Sequence, residues 1–193
     1  MEKKQNTDLF KMAPGVCCGH KDALDLDGDA VQTEKKILNV ELLVIDLTSC
    51  ARCVPTGDKL KRAINLLAPV ADVLGIELKY REIVIQTAQE AKALGLLSSP
   101  TIRLNGRDIV PTIHESLCES CGDLTEDGTL VNCRVWHYRG KVYNAAPLPL
   151  LIEAIMRAML DIDTPPVVPE PIAVLPENIQ RYFDHKRPIT PNC

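Results

Sequence analysis

Aromatic residues are scarce in this 193-residue chain: two Phe, one Trp and four Tyr, or 4% of the total. A core must therefore be built from aliphatic side chains, and a hydrophobic content of 46% supplies enough of them. An excess of basic charge is also missing. Twenty-two Lys and Arg stand against 26 Asp and Glu, a net charge of −4. That argues against a general nucleic-acid binder, whose binding face would be basic. No apolar run approaches the ~20 residues of a membrane-spanning helix, so no membrane partner is expected. The opening Met1-Glu-Lys-Lys-Gln-Asn6 lacks the apolar stretch of a secretory signal, and a cytoplasmic location is expected. There is no glycine-rich nucleotide fingerprint, which argues against a bound flavin or nicotinamide.

What the chain does have is cysteine. The eight are Cys17, Cys18, Cys50, Cys53, Cys118, Cys121, Cys133 and Cys193. In a reducing cytosol such cysteines serve catalysis or metal binding more often than structural cross-linking. Two pairs have Cys-x-x-Cys spacing, and Cys17 and Cys18 are adjacent. Cys193 is read as a lone thiol in the tail.

Hydrophobic periodicity organises the remainder. Residues 1–36 are a polar arm. Within it Asp25-Leu-Asp-Gly-Asp29 hints at a calcium loop, but the ligand spacing and the closing glutamate are wrong, so a solvated turn is expected. Leu38–Leu47 is a nearly continuous apolar run, as in a strand buried on both faces. From about Thr56 to Leu74, residues Leu60, Ile64, Leu67, Ala71 and Leu74 form a helical stripe, with Pro69 expected to kink or split it. Ile76–Ile85 reads as a strand. Thr87-Ala-Gln-Glu90 is a capping box opening a helix that ends at Gly95. Pro100–Leu104 and Arg107–Ile113 read as strands joined by a tight Asn105-Gly106 turn. Residues 114–133 form a polar, cysteine-bearing insert. Val135–Tyr138 and Lys141–Tyr143 flank a second turn, and Leu148–Leu160 is a striped helix. From Thr164 onward the chain carries seven of its fourteen prolines, so an extended tail is expected. Pro176–Phe183 has the pattern of a short amphipathic helix.

Alternating strands and helices predict an α/β sheet protected by helices. A buried strand, Cys50-Ala-Arg-Cys53, a helix and a later Ser99-Pro100-Thr101 strand start resemble the thioredoxin superfamily over residues 37–162. The resemblance implies a thioredoxin-like sheet flanked by helices, with the insert at 114–133 and a Pro-rich tail at 163–193. The segments Ser98–Ile109 and Cys118–Tyr143 make the chain similar to an uncharacterised family of small thioredoxin-like proteins, a likeness that brings no established activity. It also implies that the Ser99–Pro100 bond is cis and faces the cysteine pair, with Ser99, Pro100 and Thr101 meeting substrate.

A thiolate, not a thiol, attacks a disulfide. Cys50 lies where a strand feeds a helix, so backbone N–H groups and the helix dipole favour its charged form. Arg52 adds positive charge. Cys50 is therefore assigned as nucleophile and Cys53 as resolver. Pro55 and Gly57 argue for a helix that starts only at residue 55 or 56, which would weaken the dipole's effect on Cys50.

The second cluster, His114, Cys118, Cys121 and Cys133, has the donors of a tetrahedral zinc site, with His137 as a competing ligand. Alternatively Cys118 and Cys121 are a second dithiol that exchanges electrons with the first, or the cysteines are simply small packing residues. Cys17 and Cys18, with His20, are accessory thiols suited to soft ions. Three functions follow: a thiol–disulfide oxidoreductase acting on a protein or small-molecule disulfide and needing no cofactor for its dithiol chemistry; a soft-metal or metalloid binding protein; and a non-catalytic scaffold.

Overall fold

A computed structural model describes residues 34–187, apart from Asp123 and the side chain of Cys121. The expectations for Cys17, Cys18, His20, the Asp25–Asp29 turn and Cys193 lie outside the described residues.

The chain is an α/β protein with two sheets. Strand β1 (Lys36–Val44), helix α1 (Cys53–Val73), strand β2 (Ile76–Val84), helix α2 (Ala88–Ala93), strand β3 (Thr101–Leu104) and strand β4 (Arg107–Asp108) come first. They are followed by strand β5 (His114–Cys118), helix α3 (Glu119–Gly122), strand β6 (Val131–Tyr138), strand β7 (Lys141–Tyr143), helix α4 (Leu148–Leu160) and helix α5 (Glu177–His185). The first sheet has the order β2-β1-β3-β4, with β1 parallel to β2 and antiparallel to β3. The second has the order β5-β6-β7 and is antiparallel throughout.

The apolar run in β1 forms the centre. Leu38, Val40, Leu42, Leu43 and Val44 are wholly buried, as a central strand covered on both faces requires. Helix α1 lies against this strand so closely that a Cβ on Gly57 would stand 3.2 Å from the Leu42 side chain. That contact is the reason a glycine is tolerated inside a helix. Helix α1 packs on α4, and α2 on α5.

One local expectation about α1 is corrected and another is narrowed. It starts at Cys53 rather than at 55 or 56. Pro55 then falls in the first turn, where a missing N–H removes no intrahelical bond. Pro69 does not split the helix. It and Asn65, whose carbonyl its ring deprives of a partner, are both exposed, so water can take the bond.

The Asn105-Gly106 turn forms as expected, with φ of 47° and 81°. Its second strand stops at Asp108 rather than running to Ile113, because the Asp108 carboxylate accepts the Val110 N–H at 2.9 Å and turns the chain. The polar insert contains a strand, β5, that periodicity did not reveal. It forms because β6 is longer than expected and begins at Val131, giving β5 a partner from His114 to Cys118.

The Pro-rich tail, within the described residues, lies against the body. The Val167 N–H donates to the Asn105 carbonyl and the Ile172 N–H to the Lys92 carbonyl, both at 2.9 Å. Helix α5 then buries Ile179 and Tyr182. No helix among the described residues is long and apolar enough to cross a membrane.

Candidate functional site

The loop from Asp46 to Cys50 is shaped by one carboxylate. Asp46 Oδ2 accepts the backbone N–H groups of Thr48, Ser49 and Cys50 at 3.1, 2.8 and 2.8 Å. Its Oδ1 accepts from the Thr48 hydroxyl at 2.7 Å. Burial alone would push this carboxyl upward, but the Thr48 hydroxyl and the three amides outweigh it and hold the group below the usual range. The Asp-x-Thr-Ser spelling is an Asx-turn signal that the sequence reading overlooked.

Cys50 and Cys53 are both thiols and both fully buried. The Cys53 N–H, in the first residue of α1, donates to Cys50 Sγ at 3.3 Å. That bond strengthens as the sulfur gains negative charge. The Cys53 thiol is pushed well above its ordinary value, first by its hydrogen bond with Cys50, then by burial and by the charge of Cys50, against a lowering by the Ser99 hydroxyl and with a smaller rise from the charge of Cys133. Its sulfur lies 3.5 Å from the Ser99 hydroxyl, which also accepts the Ile45 N–H. The two sulfurs are therefore placed unequally: Cys50 Sγ accepts a backbone N–H, and the Cys53 thiol is raised.

The Ser99–Pro100 peptide bond is cis. Ser99, Pro100 and Thr101 are all buried, because β6 covers them. The Ser99 carbonyl accepts the Arg134 N–H at 2.9 Å. Thr101 Oγ1 donates to the Ser98 carbonyl at 2.8 Å and accepts from Arg134 at 3.2 Å. The buried Arg134 guanidinium also grips both oxygens of Asp108, at 2.7 and 3.0 Å, and lies over the Trp136 ring. This anchor between the sheets went unrecognised in the sequence, since its partners lie 24–33 residues away.

Arg52 is not a freely solvated charge beside the thiols. It is 6% exposed and donates to the carbonyls of Cys133 (2.7 Å), Leu117 (2.6 Å) and Ser116 (3.1 Å), and to the Ser116 hydroxyl (2.9 Å). The Ala51 N–H donates to Ser120 Oγ at 3.1 Å, and that hydroxyl lies 3.2 Å from Cys118 Sγ. The residues between the two cysteines thus hold the insert against the pair.

Cys118 and Cys133 are buried in the same apolar cluster as Cys50 and Cys53. In the β5–β6 register Cys118 faces Val131 and Ser116 faces Cys133, so Cys118 and Cys133 share one face. Cys121 belongs to α3. His114 does not join them. It is exposed at the opposite end of β5, with its ring stacked on His137 at 4.0 Å. Among the described residues no three His, Cys, Asp or Glu side chains are arranged to hold a metal ion. A groove of about 710 Å³, lined by Ala51, Arg52, Leu117, Cys118, Ser120 and Asn144 among others, opens beside the motif.

Residues 38–155, more than half of the chain, match a family described as a domain of unknown function, DUF2703. No curated protein and no solved structure matches.

Proposed function

The chain belongs to the DUF2703 family, and we propose that it is a thiol–disulfide oxidoreductase in which Cys50 attacks and Cys53 resolves. The observation that carries this reading is the placement of the two sulfurs: Cys50 Sγ accepts the Cys53 N–H at 3.3 Å, while the bond to Cys50 and burial raise the Cys53 thiol above its ordinary value. The strand order β2-β1-β3-β4, with the pair between β1 and α1 and the cis Ser99–Pro100 bond beside it, supports a thioredoxin-like arrangement of the first sheet. The expected setting is a reducing, cytoplasmic compartment.

In the reaction, Cys50 Sγ attacks one sulfur of a protein or small-molecule disulfide and expels the other as a thiolate. Cys53 then attacks the Cys50 sulfur of the mixed disulfide. The substrate's second thiolate leaves, and a Cys50–Cys53 disulfide remains. An external dithiol returns the pair to the reduced state. The groove lined by Ala51, Arg52, Cys118 and Ser120 runs beside the motif, and Cys50, fully buried behind it, must be uncovered before it can attack.

The test is reduction of a small disulfide by a supplied dithiol, catalysed by the full chain, alongside titration with a soft metal ion. Turnover that is lost in Cys50→Ser and kept in the Cys17→Ser, Cys18→Ser double variant supports the reading. Tight stoichiometric ion binding without reduction would replace it with soft-metal or metalloid binding. Silence in both assays would leave a scaffold.

A further inference from the structure

The residues flanking Cys53 on two sides both bind the strand that carries Cys133. Arg52, immediately before Cys53, donates to the Cys133 carbonyl at 2.7 Å. Ser99, whose hydroxyl lies 3.5 Å from Cys53 Sγ, gives its carbonyl to the N–H of Arg134, the next residue after Cys133. Two short chains of contacts, one through Arg52 and one through Ser99, therefore converge on Cys133 from Cys53. Both thiols are almost wholly shielded, at 0% and 1% exposure, within one apolar cluster. Packing alone would explain a small residue at 133. The two main-chain contacts fix where the backbone that carries the Cys133 thiol lies relative to Cys53.

We infer that Cys133 is an internal exchange partner of Cys53, so that an oxidised Cys50–Cys53 pair can pass its disulfide to the insert. This rests on the oxidoreductase reading and adds a third redox residue to it. The step conserves electrons. Cys133, as thiolate, attacks Cys53 Sγ, and a Cys53–Cys133 bond forms. The Cys50–Cys53 bond breaks and its electron pair leaves on Cys50 Sγ, regenerating the nucleophile. The chain is two electrons oxidised before and after. The oxidant is the substrate disulfide that first oxidised the pair, and the terminal reductant is an external dithiol. The charge of Cys133 is also the smallest of the influences that raise the Cys53 thiol.

The experiment is a disulfide map of the full chain. Wild type, Cys50→Ser and Cys133→Ala are each oxidised with excess glutathione disulfide, quenched in acid, blocked with N-ethylmaleimide, and digested without reduction. The expected result is a Cys53–Cys133 linked peptide in wild type, and the same link as the dominant one to Cys133 in Cys50→Ser. Cys133→Ala should retain at least twice as much Cys50–Cys53 disulfide as wild type. An equal yield of Cys50–Cys53 in wild type and Cys133→Ala, with Cys133 fully blocked by maleimide, overturns the inference while leaving the reading of the pair intact. Absence of a Cys50–Cys53 link in both wild type and Cys133→Ala overturns that reading instead, and the Cys50→Ser map still decides whether Cys53 and Cys133 exchange. The wild-type map alone decides the matter if either variant fails to fold.

Discussion

Arg52 Nη1 donates to the Cys133 carbonyl at 2.7 Å, so the residue between the paired thiols holds the residue that carries a third. Four contacts from this one guanidinium tie β5 and β6 to the start of α1. Replacing Arg52 with Met leaves those carbonyls without their donor, at a cost of roughly 2–4 kcal/mol. Cys50, fully buried in the native chain, should then react faster with iodoacetamide. Stopped labelling followed by mass spectrometry checks this. An unchanged rate would mean that the insert does not govern access.

Cys50 should be the first thiol labelled by a limiting alkylating reagent. Its sulfur accepts the Cys53 N–H, whereas the bond to Cys50 and then burial raise the Cys53 thiol. Cys53→Ser should accumulate a stable mixed disulfide on Cys50, since no resolver remains. Labelling that falls equally on all the cysteines would remove the nucleophile assignment.

Asp46 should make the thiol loop acid-sensitive. Its carboxyl is held below the ordinary range in the fold, so its stabilisation is complete above roughly pH 4 and is lost as pH falls through the lower, folded value. Asp46→Ala frees three amides and should cost about 2 kcal/mol at pH 7. Urea unfolding of both proteins across pH 2–7 checks the sign: the gap between them should narrow as the solution is acidified.

Gly106 should tolerate no side chain. Its φ is +81°, and a Cβ there would stand 1.7 Å from the Val167 carbonyl oxygen. Gly106→Ala should cost about 2 kcal/mol or more and lift the tail off Asn105. Limited proteolysis should then cut faster near residues 163–170, a stretch tied to the body by the Val167 N–H to the Asn105 carbonyl and by Arg107 to the Pro165 carbonyl.

Much of the first sheet was legible because its signals are local. The run from Leu38 encoded a central strand, and Thr87 and Glu90 formed their reciprocal cap, with Glu90 N–H to Thr87 Oγ1 at 3.1 Å and Gln86 N–H to Glu90 Oε2 at 2.7 Å. Asn105 and Gly106 specified the turn by their ease at positive φ. The motif Cys50-Ala-Arg-Cys53 was readable from its spacing alone. The insert was not. His114-Glu-Ser-Leu-Cys118 is largely polar and exposed, and it becomes a strand only through its partner β6. The role of Arg52 was equally hidden. An arginine beside a thiol reads as a local charge, but its four acceptors lie 64–81 residues along the chain, where no periodicity points.

Helix α5 has a practical consequence for anyone who excises this domain. The family match ends at residue 155, yet Tyr182 Oη donates to the Ile45 carbonyl at 3.4 Å, one residue before the aspartate that shapes the thiol loop. Asn178 donates to Glu115 on β5, which also takes the Ser98 hydroxyl. A fragment trimmed to the matched boundaries would keep both cysteine pairs and lose the brace beneath them. Its thiols would then report the chemistry of a loosened loop, and only expression boundaries that keep α5, Glu177–His185, retain the brace of the native corner.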